Sequence, residues 1–193
     1  MNFLAHIYLS GSDSQLMVGN FIADWVKGSR LDSYPAGIRK GIVLHRQIDA
    51  LTDKHQDFKK TKALFAQSHG RYAGIITDIV YDHFLSCNWY KYSNFDKTTF
   101  IRRACVYIDC YKYLFPKELL KVLPAMVYND WLNSYGSFYG LERVLRRMSA
   151  RTSMPEMTPL AIIILKENYK SIEQQFTNVF DDLIKEFLNL KVH

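Results

Sequence analysis

The sequence predicts an all-α fold in one domain over residues 1–193. Three observations predict it. Apolar residues recur at three- and four-residue spacing through nearly the whole chain, as on the buried face of a helix. No segment shows the period-two alternation of a half-buried strand. Nine Gly and five Pro are scattered without a Gly/Ser linker or an abrupt change of composition. The chain is 48% hydrophobic and 15% aromatic, enough to bury a core of its own.

The elements follow in order. MNFLAHIYLS reads as a short leading helix, on which Asn2 and His6 are four residues apart. Between residues 15 and 27, Leu16, Val18, Phe21, Ile22, Trp25 and Val26 keep helical spacing. Pro35 stands where a first helical turn tolerates proline, and the helix it opens runs to about Leu51 with Ile38, Ile42, Leu44 and Ile48 inward. A third helix is expected from Gln56 to Ser68, then, past Gly70, a fourth from Arg71 to Trp89. The second half predicts helices over 95–114, from Pro116 onward, and over 136–150. Pro124 should break or kink the middle one, because proline removes a backbone donor. Thr158-Pro159 reads as a cap followed by proline at the first helical position, opening a long helix to about Leu190.

Charge and composition then exclude several classes. The longest apolar stretch is Leu160–Leu165, far short of the ~20 residues of a bilayer span. The opening residues lack the basic region and small-residue cleavage site of a secretion signal. Lys and Arg number 25 against 19 Asp and Glu, a net charge of +6. That suits an anionic partner, but no dense basic run marks a nucleic-acid arm. Three cysteines, Cys87, Cys105 and Cys110, form no CxxC pair. They read as buried or half-buried thiols of a reducing cytoplasm. The Tyr and Trp residues read mainly as core anchors.

The residues able to carry chemistry concentrate before position 84. Asn20 and Asp24, His45 and Asp49, and Asp78 and Asp82 are each four apart, and residues four apart share a helix face. Three such pairs could converge in a bundle interior, where all-α proteins build metal sites. Imidazole nitrogen and carboxylate oxygen together suit manganese, iron or zinc, and an arginine such as Arg46 could hold a phosphate through its planar fork. The plainer alternative for any one pair is a cap, an ion pair or a solvated face; Asp49, for example, could simply pair with Arg46. His55 and His69, near helix ends, read as solvated, and His193 as a frayed terminus. The apolar company of the main pairs, in FIADWV, GIVLHRQID and DIVYDHFL, favours partnered groups, since burying a lone charge is costly. Adjacent Asp82 and His83 point ~100° apart on a helix. Farther on, Arg143, Arg147 and Arg151 repeat every four residues, either as a solvated basic helix end or as a docking patch for an acidic partner or a phosphate.

The segments MNFLAHIYLS, GNFIADWVKG, GIVLHRQIDALTDKH and DIVYDHFLSCNW, with RRMSARTSMP farther on, resemble the acyl carrier protein phosphodiesterases. That family is similar to the HD-type metal-dependent phosphohydrolases, named for a His-Asp doublet that binds metal; here the doublet reads Asp82-His83, in reversed order. The resemblance implies a helical phosphohydrolase of that type that removes phosphopantetheine from holo acyl carrier protein with manganese or another divalent metal. It implies site residues Asp24, His45, Arg46, Asp49, Asp78, Asp82 and His83, with Asn2, His6 and Asn20 nearby. On this reading Asp24, His45, Asp82 and His83 hold the metal. Asp78 is a further ligand or orients a histidine, and Arg46 neutralises the phosphodiester. Arg143, Arg147 and Arg151 receive the acidic carrier protein. The rival expectations are an HD-type hydrolase of nucleotides and a non-catalytic helical module that binds an acidic protein.

Overall fold

In the computed structural model, which describes residues 1–28 and 30–188, every regular element among the described residues is helical. Helix α1 spans Phe3–Leu9, α2 Ser14–Ile22, α3 Ala36–Lys54, α4 Gln56–His69, α5 Ala73–Cys87 and α6 Trp89–Tyr92. In the second half α7 spans Lys97–Cys110, α8 Lys117–Tyr128, α9 Trp131–Ser134, α10 Phe138–Arg151, α11 Thr158–Glu167 and α12 Tyr169–Phe187. The expected end at Leu190 and the terminus at His193 lie outside the described residues.

Local chemistry sets the boundaries. The carboxylate of Asp13 accepts the Leu16 N–H at 2.9 Å and starts α2, and that of Asp96 does the same for Thr99 at the start of α7. Helix α2 stops at Ile22, short of the expected Lys27, and tightens into a 3₁₀ turn over Ala23–Trp25. That turn re-aims Asp24. Pro124 does not break its helix; α8 runs continuously across it. One hydrogen bond is forfeited, but the helix is mostly exposed and Leu119 is its sole buried side chain. The long helix expected from residue 158 onward is two helices, because Asn168 turns its amide back onto the Ile164 carbonyl at 2.9 Å. Met157 is the capping residue there, and Thr158 is the first helical one.

Helices α2 and α3 cross at a pair of glycines. A Cβ on Gly19 would lie 2.1 Å from the Ile38 carbonyl oxygen, and one on Gly41 would lie 2.3 Å from that of Leu16. Only hydrogen at these positions permits the approach. The crossing sits among Met17, Val18, Phe21, Ile38 and Ile42, all buried. A second packing centre gathers Tyr8, Trp89, Phe100, Phe176 and Phe180 and closes α12 over α1 and α5. The first ten residues are therefore held from several sides, and that fixes α1 against α3.

Candidate functional site

Two histidines and an aspartate meet where α1, α2 and α3 converge. His6, His45 and Asp49 each offer a ligand atom, and these atoms lie within 4.8 Å of one another. The imidazoles of His6 and His45 stack at 3.9 Å between centroids, inclined by 14°. Asp49 reaches both, with Oδ1 3.1 Å from His6 Nε2 and Oδ2 3.1 Å from His45 Nε2. Asp24, aimed by its 3₁₀ turn, lies 3.2 Å from the same His45 nitrogen. Asp78 completes the acidic group, accepting from the Met1 amino group at 2.8 Å.

Asn20 orients the His45 ring and ties it to the backbone of His6. It is fully buried. Its amide nitrogen donates to the His6 carbonyl at 2.8 Å, while its side-chain oxygen lies 3.1 Å from His45 Nδ1. The Asn20 backbone carbonyl lies 2.9 Å from the same Nδ1. Two oxygens at Nδ1 require it to carry the hydrogen. In neutral His45 the Nε2 lone pair would then face two carboxylates, which is repulsive. Either a proton or another cation must sit there. With a proton, and against the effect of burial, the hydrogen bonds to Asp24 and Asp49 hold His45 up to about 9. His6 goes the other way: burial pushes it down to about 4, although Asp49 opposes the shift. Asp49 is held below the usual carboxylate range because the hydrogen bonds from His45 and His6 outweigh its burial. Asp24 is lowered for a similar reason, chiefly its bond to His45 working against burial. His6 Nδ1 is buried without a hydrogen-bond partner among the described residues. Two imidazoles, two to three carboxylates and an orphaned ring nitrogen form a donor set that fits a divalent cation of the manganese, iron or zinc type.

The expected doublet takes other work. Asp82 is fully buried, and its oxygens accept the Leu4 and Ala5 N–H groups at 2.7 and 3.1 Å. It caps the helix that carries His6, so it supports the cluster and does not join it. Burial, offset by those two bonds, raises its carboxyl to about 7. His83, one residue on, points elsewhere: Nδ1 donates to the Tyr135 carbonyl at 2.7 Å, and Nε2 lies 3.2 Å from the Tyr169 hydroxyl. The structure does not bring His83 into the cluster. Nor does it bring Arg46 there: that side chain is exposed, with Nη2 3.5 Å from the Val26 carbonyl, and is not among the residues lining the cleft. Asn2 donates to the Tyr135 hydroxyl at 3.1 Å and tethers the start of α1 to the second half of the chain. His69, expected to be solvated, is buried, with Ser68 Oγ at 2.6 Å. Cys87 and Cys110, expected to be at least half-buried, are exposed, and none of the three cysteines is bonded to another.

The cluster opens into a cleft of about 580 Å³, within the usual size of a ligand site. Asp24, His45, Asp49 and Asp78 line one part of it. Its apolar wall comes from α8 and α10, including Val122, Met126, Val144 and Met148. The arginines of the expected stripe divide. Arg147 and Arg151 line the cleft, whereas Arg143 lies over the Tyr139 ring at 5.7 Å. Sequence reasoning missed the glycine crossing, Asn129 and Tyr135. Gly19 and Gly41 inside helical patterns were a signal for the first, since an interior helix glycine usually has a packing reason.

A helical bundle that collects two stacked imidazoles and several carboxylates at one end of a deep, partly apolar cleft has the build of a hydrolase. The chain belongs to the acyl carrier protein phosphodiesterase family, whose model matches residues 1–183. It is 33% identical to the acyl carrier protein phosphodiesterase of Photorhabdus laumondii, covering 97% of this chain and 91% of the relative. That of Klebsiella pneumoniae is 31% identical over 96% of each chain. That of Serratia proteamaculans is 29% identical over 96% of this chain and 97% of the relative. No solved structure matches.

Proposed function

We propose that this chain hydrolyses the phosphodiester joining phosphopantetheine to the serine of holo acyl carrier protein, giving apo carrier protein and free phosphopantetheine. The observation that carries the reading is the His6–His45–Asp49 cluster at the base of a cleft, in a chain of the family whose curated relatives bear that name. His6, His45 and Asp49 would hold a divalent ion, manganese by family resemblance, with Asp24 at its edge. Bound there, the ion would supply Lewis-acid polarisation of the phosphodiester and acidify water.

The chain's own groups then divide the proton work. Asp24 is exposed at the cleft, 3.2 Å from His45 Nε2; it orients the attacking water and takes its proton. The water oxygen bonds to phosphorus, and the bond from phosphorus to the serine oxygen breaks. The departing serine oxygen takes its proton from solvent, while Asp78 stays paired with the Met1 amino group at 2.8 Å on the same cleft. Asn20 keeps His45 in one tautomer throughout. The net charge of +6 favours encounter with an acidic carrier, and the unpaired cysteines suit a reducing cytoplasm. No helix among the described residues is long and apolar enough to cross a membrane.

Incubation with holo carrier protein and manganese, followed by intact-mass measurement, tests the reading. Loss of one phosphopantetheine mass, stopped by a chelator, is the expected result. An unchanged carrier with turnover of nucleotides would favour the nucleotide hydrolase. An unchanged carrier that binds without a metal would favour a non-catalytic module.

A further inference from the structure

Resting on that reading, we infer that Arg147, steadied by Asn129 and reinforced by Arg151, is the group that grips the phosphodiester anion from the wall of the cleft formed by α8 and α10. The sequence suggests Arg46 for this role and leaves the arginine stripe to an acidic partner or a phosphate; the cleft is lined by Arg147 and Arg151.

Four observations carry the inference. Arg147 and Arg151 line the same cleft as His45 and Asp49, and Arg46 does not. Arg147 is half-buried and is pinned by its Nη2 donating to Asn129 Oδ1 at 2.7 Å. Asn129 is itself fixed, donating its amide to the Ala125 carbonyl at 2.6 Å. Among the described residues neither Arg147 nor Arg151 has a carboxylate within ion-pair distance, whereas the neighbouring Arg146 has two, Glu142 at 2.9 Å and Glu156 at 3.2 Å. A guanidinium held in place on a cleft wall, beside two like charges and without a counterion, favours an incoming anion. Burial and the repulsion of Arg143 and Arg151 lower the Arg147 pKa in the same structure, which is the cost an anion would relieve. The same cleft is lined by the uncharged Val122, Met126 and Met148. The ligand class is thus an anionic phosphoester attached to a largely uncharged arm.

The experiment compares metal-loaded wild type, Arg147→Ala, Arg147→Lys and Arg146→Ala on two substrates, holo carrier protein and bis(p-nitrophenyl) phosphate. Anion gripping inside the cleft predicts that Arg147→Ala lowers kcat/KM on both by about 10- to 100-fold, the scale of a charge-assisted hydrogen bond. Lysine should recover part of the loss, and millimolar guanidinium should restore Arg147→Ala without stimulating wild type. Manganese affinity by calorimetry should be unchanged in Arg147→Ala, and Arg146→Ala should match wild type. Loss on the carrier protein alone would make Arg147 a docking residue and overturn the inference, as would no loss on either substrate or loss without guanidinium rescue. If wild type hydrolyses neither substrate, the enzymatic reading fails and the anion site is judged separately, by titrating phenyl phosphate under phosphorus NMR. Weaker binding by Arg147→Ala than by wild type and Arg146→Ala would uphold the site. Equal or absent binding would overturn it.

Discussion

The two walls of the cleft are built on opposite plans. The wall from α1, α2 and α3 is packed until helices touch through bare glycine hydrogens, and His45 in it is held at both ring nitrogens. The facing wall is looser on its α8 side: α8 buries Leu119 alone, leaves Leu120, Val127 and Tyr128 exposed, and is followed by Asp130 in the left-handed region, whereas α10 buries Leu141, Val144 and Leu145. Groups that handle a proton or a cation must hold position to a fraction of an ångström. Groups that receive a long, uncharged arm can move as it enters. The comparison teaches that chemistry sits on the rigid wall and recognition on the adaptable one.

The largest expected effect breaks the rigid wall at its centre. His45→Ala or Asp49→Ala should lower turnover by at least about 10³-fold, the scale of losing an essential group. Manganese affinity by calorimetry should fall with it, while circular dichroism stays helical. Turnover near wild type would remove both residues from the site. Gly19→Ala attacks the same wall through packing. A methyl 2.1 Å from the Ile38 oxygen forces the helices apart, at a cost of about 1–3 kcal/mol or more. Thermal melting should show a fall of several degrees, with manganese affinity reduced in step. An unchanged melting temperature would mean that the crossing is not constrained.

Asp82→Asn separates support from ligation. It sets an amide against the Leu4 and Ala5 N–H groups and should cost about 1–3 kcal/mol of stability, with manganese affinity reduced far less than in His45→Ala. Equal loss of affinity in the two variants would return Asp82 to the metal. The pH response has a definite sign. The proton that holds His45 at about 9 must leave before Nε2 can bind a cation. Manganese affinity should therefore rise with pH, by about tenfold per unit while one proton is displaced, and level off above that value. A flat profile from neutrality to pH 9 would show that His45 Nε2 is not a ligand. The smallest effect belongs to the loose wall. Met148→Ala should raise KM a few-fold at constant kcat, the mark of binding shared equally by ground and transition states. A fall in kcat alone would contradict the division between the walls.

Much of this was legible in the sequence, and the limits have physical causes. The helical class followed from periodicity, and the pair His45 and Asp49 from spacing of four residues on an apolar helix. His6 could only be placed nearby, because its partners lie on α3 and no local pattern links α1 to a helix thirty residues on. The partners of Asp82 and His83 were illegible for a related reason. Acidic and imidazole side chains in an apolar helix announce that they are partnered, but not with what, and here the partners are backbone N–H groups, a carbonyl and a tyrosine. The arginine repeat was visible, but which members face the cleft depends on the tilt of α10, set by tertiary contacts. The break at Asn168 was missed because its side chain competes with the backbone for the same carbonyl, a choice that periodicity does not register.

The capping of α1 by Asp82 has a consequence for the order in which the molecule is made. Leu4 and Asp82 are 78 residues apart, so the first helix leaves the ribosome long before the carboxylate that anchors it. Until α5 follows, His6 has no fixed place and the cluster cannot close, whatever the cation supply. Because α12 also packs on α1 and α5, the wall is complete only when the last helix has been made. Pulse-labelled hydrogen exchange during refolding should find amides of α1 and α5 protected together and those of α8 later.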